Sequence, residues 1–352
     1  MRARLLKKKG DLSRSEKSKR PFHIGIDLMG CDAEPQQIID EVLAVLPELV
    51  GPHQVVFFGT SQAICKIPSL PNVSSFCAEE VISMDEDPLY AVRRKKNSSI
   101  SVAMKQLRAK TIDALISAGN TGALVASANL FLKLPHIDRA ALLTLLPTKE
   151  KPVAVLDVGA NPLCKAHHLV EYAAIGIAYQ KSLGIENPKV GLLNIGTESM
   201  KGTTEVRSAY KKLEELHHEH SAQGTFKGNI EGRDVFNGSV DVIVTDGFTG
   251  NVFLKTAEGI ASFILHEVEE HTKNPDSFFY TLRKRLHYTE YPGATIAGVD
   301  GIVVKCHGDG SPSAFRKSVK AVSELLKGNF LSRLKEELAL QTHHWKIPSL
   351  FR

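Results

Sequence analysis

Four short loops concentrate the side chains of this chain that are able to hold an anion. SAGNTG (117–122) places Asn120 and Thr121 between Gly119 and Gly122. LDVGAN (156–161) carries Asp157, Gly159 and Asn161, and LNIGTESMKG (193–202) carries Asn194, Gly196, Thr197, Glu198 and Lys201. TDGFTGN (245–251) carries Asp246, Gly247, Thr249, Gly250 and Asn251. Glycine lets the backbone approach a ligand, while Asn and Thr add side-chain donors where a helix begins. A single loop of this kind caps a helix as readily as it binds anything. Four of them converging on one sheet edge would offer amide, hydroxyl and backbone donors with few fixed charges, which suits a phosphate-sized anion.

Other chemistries find little support. Neither GxxxxGK[ST] nor GxGxxG occurs, which disfavours standard nucleotide cradles, and no GxSxG elbow is present. No Ser or Cys stands out as a nucleophile paired to a base, so direct transfer without a covalent enzyme intermediate is the simpler expectation. The five cysteines (31, 65, 77, 164, 306) form no CxxC pair, which argues against a disulfide framework or a zinc site and for a reducing compartment. CKAHH (164–168) groups Cys164, His167 and His168 without a second half-site, so it reads as a loop entering a helix and no metal is expected. HHEH (217–220) reads as a solvated helix end. HGDGSP (307–312) follows an apolar run and precedes a helical stripe, making His307 a site candidate beside its reading as a capping or core histidine.

The elements that would position these loops alternate between short β-branched runs and amphipathic helical patterns. Strands are expected at 22–28, 54–59, 113–117, 140–146, 152–158, 189–195, 240–246 and 301–305, most followed by a helical stretch. That alternation implies an α/β domain with a mostly parallel sheet and helices on both faces. In AALLTLLPTKEKPVAVLD only PTKEK separates two apolar runs, so an antiparallel hairpin is expected there. In such sheets ligands bind at the carboxyl ends of strands, where the four loops fall.

A helical hairpin is expected at about 250–290. Phe253, Leu254, Ala257, Ile260, Ala261, Ile264, Leu265 and Val268 form its first stripe, and KNPD (273–276) breaks it. Its tip joins Phe278, Phe279, Leu282 and Leu286 to Arg283, Lys284 and Arg285. That composition suits a helix lying on an anionic membrane, and equally dimer packing or core with snorkelling cations. Residues 329–352 read as a terminal helix and tail.

Charge divides unevenly along the 352 residues. Residues 1–20 hold nine Lys or Arg against Asp11 and Glu16, whereas residues 21–352 carry 35 basic and 37 acidic side chains. The pI of 8.8 therefore reports a basic extension, expected to be disordered and no secretory signal, on a nearly neutral body. Nucleic acid is not an expected partner. With 43% hydrophobic and 24% charged residues the chain is globular, and no uncharged apolar run reaches the roughly 18 residues of a membrane span.

Six blocks, IDLMGCD, AVRRKKNSS, ISAGNTGAL, LDVGAN, LLNIGTE with KG, and VTDGFTGNVFLKTAEG, occur in this order over roughly residues 22–328. Together they closely resemble the bacterial phosphate acyltransferase family, the acyl-acyl carrier protein:phosphate acyltransferases of phospholipid synthesis. The resemblance implies a three-layer α/β/α fold similar to phosphotransacetylases and isocitrate/isopropylmalate dehydrogenases, usually homodimeric. It implies conversion of a long-chain acyl-carrier-protein thioester and inorganic phosphate to acyl phosphate, which a membrane glycerol-3-phosphate acyltransferase then consumes. The scattered cysteines and the apolar, basic hairpin tip lead to an expected cytoplasmic, peripherally membrane-associated location, and no cofactor is expected.

Set against that reaction, Asn120, Thr121, Asn161, Asn194, Thr249 and Asn251 are expected to bind phosphate or the oxyanion. Gly119, Gly122, Gly196 and Thr197 complete the loops, and Lys201 or Lys255 supplies positive charge. Asp27, Asp32, Asp157 and Asp246 orient the donors, and His307 is the candidate acid for the leaving thiolate. Arg93, Arg94, Lys95 and Lys96 would meet the acidic carrier protein, or form a solvated helix face. Cys31 stands where the family's first loop usually has its second glycine. A short-chain phosphotransacetylase using acyl-coenzyme A and a non-catalytic carrier-protein and membrane scaffold are the competing readings. A dehydrogenase of related fold is a weaker one.

Overall fold

The structure, a computed structural model, describes residues 20–219, 224–271, 293–306 and 311–344. The basic extension apart from Arg20, the predicted hairpin tip with Phe278, Phe279, Leu282 and Leu286, His307, and residues 345–352 lie outside the described residues.

In chain order the elements are β1 (Phe22–Asp27), α1 (Pro35–Val45), β2 (His53–Gly59), α2 (Ser61–Ile64), β3 (Val73–Cys77), α3 (Pro88–Arg94), α4 (Ser99–Arg108), β4 (Ala114–Ser117) and α5 (Thr121–Phe131). There follow β5 (Ala141–Leu146), β6 (Val153–Leu156), α6 (Ala166–Ser182), β7 (Lys189–Asn194), α7 (Thr204–Glu219), β8 (Thr225–Glu231), β9 (Val242–Val244) and α8 (Gly247–His271). The chain closes with β10 (Ala294–Ala297), β11 (Ile302–Lys305), α9 (Pro312–Lys327) and α10 (Phe330–His344).

The strands form one 11-stranded sheet in the order β3-β2-β1-β4-β11-β10-β5-β6-β9-β7-β8. Side chains alternate along each strand, so both faces are apolar and both must be covered. Ile24 and Ile26 of β1, Ile116 of β4, Leu156 of β6 and Val244 of β9 join a core under α1, α6, α7, α9 and α10. Phe58 of β2, Leu115 of β4, Val155 of β6, Ile243 of β9 and Val303 of β11 join a second core under α4, α5 and the start of α8. This is the expected three-layer α/β/α arrangement. Within the C-terminal stretch, Phe330, Leu334 and Leu338 of α10 are buried in the first core, and Phe330 meets Tyr179 of α6 edge to face at 5.2 Å.

All the pairings are parallel except β11–β10, β10–β5 and β5–β6. The β5–β6 hairpin is the one expected from PTKEK. Its consequence corrects an expectation. Strands β6, β9, β7 and β8 run opposite to β3, β2, β1, β4 and β11, so the carboxyl ends of the two groups open onto opposite sheet edges. Loop 117–122 lies on the edge where β1 ends, here the upper edge. Loops 156–161, 193–202 and 245–251 lie on the lower edge. Three strands escaped the sequence reading: β3 and β8 are half-exposed and polar, and β10 is a short ATIA between glycines.

Helix α8 begins at Gly247 rather than at residue 250. Of the predicted stripe it buries Leu254 and Leu265, half-buries Phe253, Ala257, Ala261 and Val268 and leaves Ile260 and Ile264 exposed, while Phe248, Val252 and Phe263 are exposed outside the stripe. No helix among the described residues is long and apolar enough to cross a membrane.

Candidate functional site

On the upper edge, Asp27, Ser117 and Lys305 end the adjacent strands β1, β4 and β11 and stand side by side in register. Alternation turns all three toward the α4/α5 face. Asp27 and Ser117 are fully buried, and Lys305 is 6% exposed. The Ser117 hydroxyl donates to Asp27 Oδ2 at 2.7 Å, while its Oγ accepts from Gly119 N–H at 3.0 Å. Met29 N–H donates to Asp27 Oδ1 at 3.1 Å. Lys305 Nζ donates to the carbonyl oxygens of Ala118 and Cys306, at 3.0 and 2.8 Å. Burial pushes the Asp27 carboxyl up to about 6, against the Ser117, Ser99 and Met29 hydrogen bonds and the charge of Lys305, all of which favour the carboxylate.

Loop 27–32 leans on loop 117–122. Gly30, at φ +78, approaches Gly119 so closely that a side chain there would stand 3.3 Å from Gly119 Cα. Cys31 is half-buried beside it, with its thiol raised by burial, and Asp32 is exposed. Asn120 caps α5: its Oδ1 accepts from Ala123 N–H at 3.0 Å. Its Nδ2 donates to the carbonyls of Ser83, Met84 and Glu86 at 3.1–3.3 Å, so the amide is committed to holding the 83–86 turn. Thr121 and Gly122 form the first turn of α5, whose N–H groups have no intrahelical acceptor.

On the lower edge, Asp157 is buried and fully subscribed. Its carboxylate accepts from the N–H groups of Leu142, Gly159, Ala160 and Asn161 and from Asn161 Nδ2, at 2.7–3.1 Å. Burial nonetheless raises its pKa. Asn161 also donates to the Ala140 carbonyl at 2.8 Å, and its own carbonyl accepts from Gly247 N–H at 2.9 Å. Asp246 caps α8 by accepting from Thr249 N–H and Oγ1–H at 2.8 and 3.0 Å, and Asn251 Nδ2 donates to the Val158 carbonyl at 3.2 Å. Loops 156–161 and 245–251 are thus locked together. Asn194 folds onto its own loop through Ile195 N–H and the Lys201 carbonyl at 2.8 and 3.1 Å. The Lys201 side chain passes over Gly196. Thr197, Lys201, Thr249 and Asn251 are exposed.

The structure therefore separates the predicted residues by role. Asn120, Asn161, Asp157 and Asp246 spend their polar atoms on the loops. Lys255 lies in α8 and pairs with Glu258 at 2.9 Å. The basic cluster splits: Arg93, Arg94 and Lys96 are exposed, but Lys95 turns inward to Glu86 at 2.6 Å and the Val81 carbonyl at 2.7 Å. Its ammonium holds the Glu86 carboxyl down at about 2.

The histidines of CKAHH meet a partner that the sequence did not suggest. Asp138, His167 and His168 bring ligand-type atoms within 4.8 Å of one another. Lys165 N–H donates to His168 Nδ1 at 3.0 Å, which leaves the ring proton on Nε2, donated to Asp138 Oδ2 at 2.8 Å. That nitrogen is spent on a hydrogen bond, so the group reads as a packed polar cluster. Cys164 turns away, toward the Asn161 carbonyl and the Tyr172 hydroxyl. Next to it Glu171, buried and accepting from Asp138 N–H at 2.9 Å, is pushed up to about 7. His217 is half-buried and lines a small apolar recess with Ile177, Leu213 and Phe226, whereas His218 is exposed.

Ser117 and Lys305 are the residues that sequence reasoning passed over, because each ends an apolar strand. The available signal was a polar residue closing an apolar run directly before a loop: IDLMG, LISAG and VVKCHG share it.

Comparison with known proteins agrees with this fold. The family model described as fatty acid synthesis protein matches residues 22–333. A phosphate acyltransferase of Synechococcus sp. (strain JA-3-3Ab) is 40% identical, covering 93% of this chain and 92% of its own. One from Clostridium tetani is 37% identical, covering 91% of this chain and 99% of its own. Among solved structures, a phosphotransacetylase from Streptococcus pyogenes superposes with a TM-score of 0.56 at 14% identity, covering 87% of this chain and 94% of that one. EutD phosphotransacetylase from Staphylococcus aureus gives 0.54 at 16%, covering 90% and 94%. Those two likenesses concern the fold. The sequence matches run nearly end to end, and the chain belongs to the phosphate acyltransferase family of fatty acid synthesis proteins.

Proposed function

We propose that this chain transfers a long-chain acyl group from acyl-acyl carrier protein to inorganic phosphate, releasing acyl phosphate and free carrier protein for phospholipid synthesis. The observation that carries the reading is the upper-edge turn, where buried Asp27 and Ser117 fix the entry to α5 and Lys305 lies behind it. Phosphate is itself a competent oxygen nucleophile, so the protein needs to hold it beside the thioester carbonyl and stabilise the oxyanion. The first turn of α5, with Thr121 and Gly122, is the proposed phosphate seat.

Asn120, Asn161, Asp157 and Asp246 act in this reading by positioning. Thr197, Lys201, Thr249 and Asn251, on the lower edge, are proposed contacts for parts of the acyl-carrier-protein substrate remote from the reacting carbonyl, and His307 is the proposed acid for the thiolate. Exposed Arg93, Arg94 and Lys96 suit an acidic carrier protein. The exposed apolar side chains of α8, Phe248, Val252, Ile260, Phe263 and Ile264, support a homodimer and, with the tip at 278–286, peripheral membrane attachment in the cytoplasm, delivering product to a membrane glycerol-3-phosphate acyltransferase.

The test incubates purified protein with palmitoyl-acyl carrier protein, with and without phosphate, and traps acyl phosphate with hydroxylamine. Phosphate-dependent product is expected. Product from acetyl-coenzyme A alone would indicate a short-chain phosphotransacetylase. No product from any thioester, despite carrier-protein binding, would indicate a scaffold.

A further inference from the structure

We propose that Lys305 is the positioning residue of the phosphate seat: its buried ammonium holds the Ala118 and Cys306 carbonyl oxygens inward and offsets the Asp27 carboxylate, so that none of these three turns negative charge toward an anion at the 119–122 turn. The inference deepens the proposed phosphate site and rests on that reading.

Three observations support it. Lys305 closes a strand whose other residues, Ile302, Val303 and Val304, are buried and apolar, in the middle of the sheet. An apolar side chain would fill that place without the desolvation that a buried ammonium costs, so the charge there is costly for the fold alone. Among its partners, the Ala118 and Cys306 carbonyls belong to the loops leaving β4 and β11, the strands that flank the seat. Each of those oxygens carries partial negative charge that would repel an anion if it turned outward. Register brings the ammonium alongside Ser117, which hydrogen-bonds the one fully buried carboxylate on this edge among the described residues.

The groups facing Asp27 among the described residues are Ser117 from β4, Ser99 from α4, Lys305 from β11, and Cys31 with the Met29 N–H from its own loop. Of these only Lys305 carries a positive charge. Removing it leaves the Asp27 carboxylate harder to ionise, an effect that loss of packing alone would not produce in a pH profile.

Steady-state kinetics on the full chain, with palmitoyl-acyl carrier protein and inorganic phosphate, test this with Lys305→Met, Lys305→Gln and Lys305→Arg. Met and Gln are expected to raise the KM for phosphate at least tenfold and to leave the thioester KM within twofold. The acid limb of kcat/KM is expected to move to higher pH, and Arg to restore most of both. A folded Met or Gln variant with wild-type phosphate KM and an unmoved acid limb overturns the inference, and Gln decides if Met does not fold. A wild type that turns over no thioester defeats the proposed function instead. Calorimetric titration with inorganic phosphate then decides for Lys305: binding at least tenfold weaker in the variants supports it. Equal binding, or none to the wild type, overturns it.

Discussion

Gly250, in the first turn of α8, packs directly against the carbonyl oxygen of Asp157, so that a Cβ on Gly250 would stand 1.9 Å from that oxygen. Gly247 is similarly close to the Asn161 carbonyl: a Cβ there would stand 2.7 Å from its oxygen. The glycines of TDGFTGN are therefore demanded by the contact of a helix end with the loop after β6.

That contact predicts the effect of one methyl group. Gly250→Ala is expected to destabilise the fold by roughly 1–3 kcal/mol, the usual cost of overpacking. Gly259→Ala, in the same helix with open space around it, is expected to stabilise by about 0.5–1 kcal/mol. Urea denaturation of both variants checks this, and equal midpoints would contradict it.

Asp157→Asn replaces a carboxylate oxygen by a donor amid four N–H groups and the Asn161 amide. Stability should drop by about 1–3 kcal/mol, since at least one buried donor loses its acceptor. A change below about 0.5 kcal/mol, within the noise of ordinary surface substitutions, would mean the network is dispensable.

Glu171 makes a pH prediction. Its folded pKa of about 7 lies above the ordinary 4.5, so the folded state binds its proton more tightly than the unfolded chain. Stability through this group is greatest below about pH 4.5 and falls as pH rises to about 7, by on the order of 2–3 kcal/mol. Neighbouring Asp138 and His168 are both lowered, which gives stability the opposite slope, so the difference between proteins is the measurement. Glu171→Gln should gain on the wild type between pH 5 and 8 in chemical denaturation. Parallel curves would refute the assignment.

The two edges should separate kinetically. Thr121→Val, on the upper edge, is expected to raise the phosphate KM by about tenfold, the cost of one lost hydrogen bond in a binding site. Lys201→Ala and Thr197→Val, on the lower edge, should leave the phosphate KM within twofold and weaken thioester use. The reverse pattern would move the phosphate seat to the lower edge.

Much of this molecule is legible residue by residue. The strand runs, the PTKEK hairpin and the Asn120 cap follow from periodicity and turn chemistry, which are local. So does the identity of the loops, because Gly, Asn and Thr at a strand end mean the same thing wherever the strand lies. The strands β3, β8 and β10 were not legible, since two are half-exposed and the third is too short to show alternation.

Local periodicity and turn chemistry set the elements, the two apolar faces and the loops that carry polar groups. The tertiary structure alone decided which edge each loop faces and which residues stand in register. The antiparallel β5–β6 hairpin turns β6, β9, β7 and β8 against β1 and β4, so loops of like composition part to opposite edges. Ser117 and Lys305 each look like the end of an apolar strand, and only the pairing of β1, β4 and β11 sets them beside Asp27. Strand direction and register are fixed by contacts between segments far apart in the chain, and local periodicity carries no record of them.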